Sequence, residues 1–481
     1  MKRRTSVLRS AAIVGVICSA FSASGAYAQD QQDEENGKPK PAAHAPLIDQ
    51  NAADTTTDPN ALTPDTSPLT GIQTSGLGSV EFRHSYWVPG VQVANTVQSG
   101  GNGGNWFDVT YLAGNLSLSE AWPHAHLGLN YSGGGYFSTD NEGNGTYQQL
   151  GFLQSFDWRR LQLQFFDELA YLPTSQFGFG GLSGIGTPGI GGSLSPVAPL
   201  VGGAFLPNQT ILLANGPRYS NSFAVQADFK ITPRSSITLI GSYGLLRFTN
   251  PGNIDNDDVI GSIGYNYQVT KKDTLGVLYR FTAYHFTGVS QAIGDHVFNV
   301  AYGRRITGRL GLGLFAGPEI VTFRIPIGGK TQQTNLSVGA SLSYGFESGV
   351  VSLSYNHGTN GGSGILAGAT GDNVTANANR KITRVWSARA NVGYGREHAF
   401  VGVVVPGTPT IGVPSYDSYY LGAGLDRPIG RNALLSFGYT AYITSTNLAA
   451  CGISVCTGGG TSTQHQLAVG YQWHTRPFVL R

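Results

Sequence analysis

The stretch Leu336-Ser-Val-Gly-Ala-Ser-Leu-Ser-Tyr-Gly-Phe346 alternates without interruption: Leu336, Val338, Ala340, Leu342, Tyr344 and Phe346 are apolar, with only Ser or Gly between them. Side chains along a β-strand point to opposite faces in turn, so this pattern predicts one greasy face and one small polar face. The run is longer than an ordinary globular strand needs. It matches a tilted strand crossing a bilayer, which takes about 9–11 residues, with lipid on one side and a wet lumen on the other.

The same alternation recurs along the chain. Phe223, Val225, Ala227, Phe229 and Ile231 form one outward row; Leu275, Val277, Tyr279 and Phe281 a second; Leu435, Phe437, Tyr439 and Ala441 a third; Leu467, Val469, Tyr471 and Trp473 a fourth. Facing inward between them are Gln226, Asp228, Lys230, Gly276, Arg280, Ser436, Gly438, Thr440, Gly470 and Gln472.

A short turn signature punctuates these rows: Ile231-Thr-Pro-Arg-Ser, Val269-Thr-Lys-Lys-Asp, Ile306-Thr-Gly-Arg, Ile382-Thr-Arg and Ile429-Gly-Arg-Asn. The intervals are 38, 37, 76 and 47 residues, and Glu347-Ser-Gly349 turns the chain midway through the 76. One unit therefore holds two long strands, a variable Gly- and Asn-rich loop and a tight polar turn. Propeller blades recur at about 40–50 residues too, but they pack four short strands into that length and bury both sheet faces. Nine hairpins follow, with long connections near 98–104, 139–145, 173–218, 250–257, 288–294, 325–331, 358–371, 398–415 and 447–461. The predicted fold is all-β: a transmembrane antiparallel up-and-down β-barrel of 18 strands, with 16 the next count. Phe165-Phe-Asp-Glu168 and Ala113-Gly-Asn115 disturb the alternation and are candidate β-bulges.

The start of the chain agrees with an envelope destination. Lys2, Arg3, Arg4 and Arg9 precede an apolar run from Ala11 to Phe21, and Ala26-Tyr-Ala28 supplies a small-x-small cleavage pattern. Residues 1–28 read as a secretory signal peptide cut after Ala28; the run is shorter than the roughly 17–25 residues of a spanning helix. Residues 29–75 are rich in Gln, Asp, Glu, Pro, Ala and Thr and lack apolar periodicity until Leu69, so they read as a disordered periplasmic extension. The barrel takes 76–481. An even strand number leaves both termini in the periplasm, with short turns there and long loops outside.

Composition excludes other classes. Gly is 68 of 481 residues, charged residues are 12% and the mean hydropathy is −0.09; a soluble domain carries about 25% charge. Removing the four basic residues of the leader from 30 Lys and Arg leaves 26 against 28 Asp and Glu, a formal charge near −2. That balance gives no basic stripe for nucleic acid. Cys451 and Cys456, in a Gly-rich loop, read as a small disulfide. Tyr265, Tyr267, Tyr302, Tyr344, Phe346, Tyr471 and Trp473 stand just ahead of short turns or the C-terminus and form a candidate girdle at one interface.

These features together resemble the Gram-negative outer-membrane porins over about residues 78–481. The resemblance is one of architecture, and it implies a diffusion channel in outer-membrane lipid, passage of small-molecule solutes, insertion by the barrel-assembly machinery and compatibility with a homotrimer. In that family the third external loop commonly folds inward as a constriction. Here the third loop, 173–218, is the longest, and 173–217 holds no charged side chain; Phe177, Phe179, Phe205 and Leu206 are its candidate constricting residues. Weak ion selectivity is expected. Family members usually end on an aromatic residue read during assembly; this chain ends Trp473-His-Thr-Arg-Pro-Phe478-Val-Leu-Arg481, so Phe478 or Trp473 takes that part.

Candidate pore-lining residues are Arg280, Arg389, Lys230, Asp228, Gln226 and Asp426, with Glu347 also placed inward near a turn. No Gly-x-Ser-x-Gly elbow with partner residues occurs and the ten His are scattered, so catalysis is not expected. His124-Ala-His126 is the one hint of a metal site, and no Cys or carboxylate cluster accompanies it, so neither metal nor cofactor is predicted. The competing reading is a plugged structural or adhesive barrel that presents its loops or anchors a periplasmic partner.

Overall fold

The computed structural model describes residues 68–70, 85–99, 104, 106–139, 144–172, 217–249, 253–287, 291–325, 329–362, 366–400, 415–447 and 461–479. Eighteen long strands account for nearly all of them. In order they are β1 (Tyr86–Ser99), β2 (Trp106–Trp122), β3 (Ala125–Ser138), β4 (Gly145–Asp157), β5 (Leu161–Leu172), β6 (Arg218–Thr232), β7 (Ser235–Phe248), β8 (Asp255–Gln268) and β9 (Asp273–Thr287). The second half comprises β10 (Ala292–Arg305), β11 (Leu310–Ile325), β12 (Gly329–Phe346), β13 (Gly349–Asn360), β14 (Ala369–Lys381), β15 (Ser387–Ala399), β16 (Ser415–Ile429), β17 (Ala433–Asn447) and β18 (Thr461–His474).

Each strand pairs antiparallel with its sequence neighbours, and β1 pairs both with β2 and, from Gly90↔His474 to Gln98↔Gln466, with β18. The sheet is therefore closed into a ring, so its wall amides pair along the ladders rather than with water. After His474 the chain breaks for three residues and rejoins β1 as β19 (Phe478–Val479), where the Phe478 ring stacks on Trp87 at 4.9 Å. Trp473 faces out on β18, so both candidate terminal aromatics lie on the seam that closes the barrel.

In the four copies of the turn signature that carry Thr, the turn has a local cause. Its Thr hydroxyl accepts a backbone N–H two residues on: Arg234 to Thr232 (3.2 Å), Lys272 to Thr270 (3.1 Å), Arg309 to Thr307 (3.2 Å) and Val385 to Thr383 (3.3 Å). A side chain that completes its own turn fixes where the strand reverses. The residue before it, Ile231, Ile306 or Ile382, stays on the outside and exposed.

The deciding stretch lies in β12 as predicted. Leu336 is 56% exposed and Ser337 beside it 1%. Leu342 and Tyr344 are also on the exposed face, while Gly339, Ser341 and Gly345 are buried and Ser343 is open inside the wall. Val91, Leu112, Leu239, Val259, Ile263, Val277, Val300, Leu353, Leu421 and Leu467 extend the exposed apolar belt around the ring. Tyr265, Tyr267, Tyr344, Tyr471 and Trp473 edge it at the short-turn end, and Trp106, Phe137 and Tyr219 at the long-loop end. So continuous an apolar surface is one that lipid covers. Closed wall, apolar belt and short turns opposite long loops are together the architecture of an outer-membrane barrel of the porin type.

Two local expectations change. Register runs unbroken through Phe165–Glu168 and through Ala113–Asn115, so neither is a bulge. Alternation is kept, with Glu168 inward and Asp167 outward, where the Asp167 carboxylate accepts from Asn221 Nδ2 at 2.7 Å. Register shifts instead at Lys230/Thr232 between β6 and β7, and pairing is interrupted between β10 and β11, where the ladder passes from Val297↔Glu319 to Val300↔Ala316. Pro318 has no N–H to give β10 there, and at Gly317 an added Cβ would fall on the Phe298 carbonyl.

Candidate functional site

Inward-facing side chains of an eighteen-strand wall line a lumen too wide for them to fill alone. At the long-loop end a second layer covers part of this wall. The β12–β13 ladder ends at Val338↔His357, although β12 continues along β11 and β13 runs on to Asn360 beside β14. Freed from β12, the last residues of β13 turn across the interior.

Their landing points are specific. The Thr359 N–H donates to Glu319 Oε1 at 2.9 Å, on a strand two places away, and Asn360 Nδ2 donates to Glu397 Oε1 at 3.4 Å on β15. Tyr284 Oη reaches the Thr359 carbonyl at 3.5 Å, and Asn256 Nδ2 on β8 reaches that of Gly361 at 3.4 Å. The Gly362 N–H donates to Asn360 Oδ1 at 2.9 Å. Gly362 and Gly368 both have φ of +84°, the left-handed backbone that glycine adopts without strain, so the chain bends sharply as it enters and leaves this crossing. Ala367 then packs with Phe400 and Tyr284 on Phe286, Ile293, Val321 and Phe323, while Leu366 packs with Ala399 and Tyr416. The segment thus contacts inner faces from β8 to β16.

Beneath it lie buried charges. Arg280 Nη2 stands 3.5 Å from Asp295 Oδ2, both side chains nearly inaccessible, and Glu319 is 0% exposed. Asp258 and Glu397 are buried on the same inner wall. On β5 and β6, Glu168 accepts from Gln149 Nε2 at 2.9 Å, and Arg218 is likewise buried.

At the short-turn end the lumen wall carries a network of uncharged side chains gathered around one carboxylate. Asp228 accepts from Gln226 Nε2 and from Thr238 Oγ1, each at 2.6 Å, and Asn266 Nδ2 donates to Thr238 Oγ1 at 3.2 Å. Asn266 continues the chain to Thr70, one of three described residues within the span expected to be disordered. Farther round, Arg389 Nη2 lies 3.5 Å from Asp426 Oδ1, and Gly424 opposite leaves the space its side chain occupies.

Five of the six predicted pore-liners are therefore inward and engaged: Arg280, Arg389, Asp228, Gln226 and Asp426. Lys230 ends β6 on the same inward parity and is exposed. They do not form one site: Arg280 belongs to the covered long-loop end, the others to the short-turn end. Glu347 sits in its turn, mostly exposed, 3.4 Å from Arg309 Nη2. His126 lies 3.8 Å from Asp157, and no group of three metal-ligating residues exists among the described residues. Phe177, Phe179, Phe205, Leu206, Cys451 and Cys456 lie outside the described residues.

Asp295, Glu319, Glu397, Asn256 and Asn266 are not singled out by the sequence pattern. One signal is present in it: Phe286, Ile293, Val321 and Phe323 hold inward parity at the long-loop end, where a wet lumen predicts polar residues. Apolar residues on the wet face mark where something packs on them.

No protein-family model and no curated protein matches the sequence. Among solved structures the chain is similar to Pseudomonas aeruginosa OccK1 (OpdK), at 10% identity over 84% of this chain and 100% of that one, with a TM-score of 0.41. It is similar to Pseudomonas aeruginosa OccK2 (OpdF) in complex with glucuronate, at 10% identity over 81% and 98%, with a TM-score of 0.40. Acinetobacter baumannii OccAB3 is a third, at 10% identity over 81% and 99%, with a TM-score of 0.38.

Proposed function

We propose that the protein is an outer-membrane channel for passive diffusion of small solutes, narrowed near its long-loop end by Thr359–Gly362 and Leu366–Ala369. The observation that carries this reading is a closed eighteen-strand wall, apolar outside, whose inner face is polar and charged. Rings of sixteen to eighteen strands leave an aqueous passage, and an inward-turned loop sets its width. Short turns then face the periplasm and long loops the exterior.

Ion selectivity is weak in this reading because the inward charges are largely spent on one another and on the loop. Arg280 is set against Asp295 and Arg389 against Asp426, while Glu319 and Glu397 accept from the Thr359 amide and the Asn360 side chain. The uncharged stretch 173–217 adds no transverse field. Solutes are accordingly selected by size and hydrogen bonding more than by charge.

The covered inner wall at the long-loop end favours the second reading, a plugged structural barrel. Planar-bilayer recording of the purified full chain separates the two. The channel reading predicts discrete current steps in salt, and larger ones when residues 361–368 are replaced by a short Gly-Ser link. Many insertions without a step, in both forms, would establish the plugged barrel.

A further inference from the structure

The outer face of the wall carries three arginines without acidic partners where β14, β15 and β16 reach the short-turn end. Arg380 is the last outward residue of β14, Arg427 stands outward near the end of β16 and is exposed, and Arg384 is exposed in the turn from β14 to β15. Among the described residues none of the three has a carboxylate within ion-pair distance. Other cations on this rim are matched: Arg304 Nε lies 3.7 Å from Asp273 Oδ1, and Arg309 Nη2 lies 3.4 Å from Glu347 Oε1. Asp426, next to Arg427 in the chain, faces the lumen, where it meets Arg389.

Register places these arginines at the depth of the aromatic edge. Arg427 is directly opposite Leu435, which is opposite Tyr471, and Arg380 is opposite Gly349, which is opposite Phe346. One outward step toward the apolar belt stand Ala378 on β14 and Leu425 on β16. Rings at such an edge settle at headgroup level, so the guanidinium groups are held where lipid phosphates lie.

Each of the two outward arginines is steadied by a ring. Arg427 Cζ lies 5.3 Å from the centroid of Trp386, which leads into β15, and Arg380 Cζ lies 6.0 Å from that of Phe346. Trp386 is backed by Phe437 at 6.4 Å, and the Ile382 N–H donates to its carbonyl at 2.9 Å. A guanidinium that gives its flat face to a ring keeps its N–H edge for an anion, and that edge matches two phosphate oxygens. Between the two arginines β15 contributes Ala388, opposite both Arg380 and Leu425, which puts only a methyl group there. Deeper in the belt Ala378, Ala390 and Ala423 face one another directly on the three strands, so the adjoining wall is flat.

We propose that this sector is a lipid site, in which Arg380, Arg384 and Arg427 take the phosphate of an anionic phospholipid from the leaflet at the short-turn end. The acyl chains then lie along the flat wall beside it. Cations of one sign at a membrane edge draw anionic headgroups in preference to zwitterionic ones, and a ring-held arginine fork gives the phosphate a fixed seat. The site is on the outside of the wall, and it holds whether the lumen conducts or is plugged.

Native mass spectrometry of the purified full chain in detergent, titrated with dioleoylphosphatidylglycerol or dioleoylphosphatidylcholine, tests it. Phosphatidylglycerol should be retained about tenfold or more tightly than phosphatidylcholine. Arg380→Gln and Arg427→Gln should each weaken that retention about fivefold, whereas Arg304→Gln, whose cation is already paired, should change it less than about twofold. Arg380→Lys and Arg427→Lys keep the charge and lose the fork, so each should still weaken retention about twofold. Equal retention of the two lipids overturns the site. Equal weakening by Arg304→Gln also overturns it, since the attraction would then belong to the whole rim. If the Gln variants fail to assemble, the two Lys variants decide: retention unchanged in both overturns the seat.

Discussion

The two ends of the lumen are occupied in chemically opposite ways. At the long-loop end, Thr359 and Asn360 are held by buried carboxylates, Glu319 and Glu397, near an Arg280–Asp295 pair. At the short-turn end, Leu69–Thr70 is held by a neutral amide, Asn266, in a recess lined by glycines. The first contact joins residues 40 apart and the second residues 196 apart. A buried charge that loses its partner is costly, whereas a neutral pair that separates regains water on both sides. The long-loop end is thus built to stay in place, and the short-turn contact is the one that can be released.

Substitutions that break this asymmetry rank by cost. Arg280→Met should have the largest effect, because it leaves Asp295 buried beside Glu319 without its cation; about 3–5 kcal/mol is expected, read as a lower denaturant midpoint in detergent. Glu319→Ala orphans the Thr359 N–H and should cost about 1–3 kcal/mol. Limited proteolysis should then cut within 361–368, while Glu319→Gln, which keeps an acceptor, stays resistant. Asn266→Ala removes three neutral hydrogen bonds, two to Thr70 and one to Thr238, and should cost about 1–2 kcal/mol, a smaller fall in the same midpoint, with 361–368 still resistant to protease. Arg247→Ala should matter least. Its Nη2 alone meets both Asp257 carboxylate oxygens, at 2.7 and 2.6 Å, outside the wall and partly exposed, so about 0–1 kcal/mol is expected. A midpoint shift as large as that of Arg280→Met would remove the distinction drawn between buried and surface pairs.

What is legible in the sequence follows from what is periodic. Leu336–Phe346 announces its faces because lipid demands apolar residues at every second position and the lumen accepts small polar ones. The Ile-Thr turn signature counts hairpins because each Thr hydroxyl closes its own turn locally. Neither regularity survives where a segment packs inside the barrel. In β11, Leu312 and Leu314 face out, yet Phe315, Val321 and Phe323 face in, so parity alone does not show that Glu319 is an inward latch. Asn266 is invisible for another reason: an Asn on the wet face is ordinary there, and its partner lies 196 residues away. Asp228 and Arg280 stand out because they interrupt clean rows; their partners, Thr238 and Asp295, do not, since register must be known first.

The central claim is that the closed wall encloses a passage narrowed at its long-loop end by Thr359–Gly362 and Leu366–Ala369. Its most direct test is single-channel conductance of the full chain, unmodified and with residues 361–368 replaced by a short Gly-Ser link. Discrete steps that grow in the variant are the predicted result; no step in either form, or identical steps in both, would contradict it.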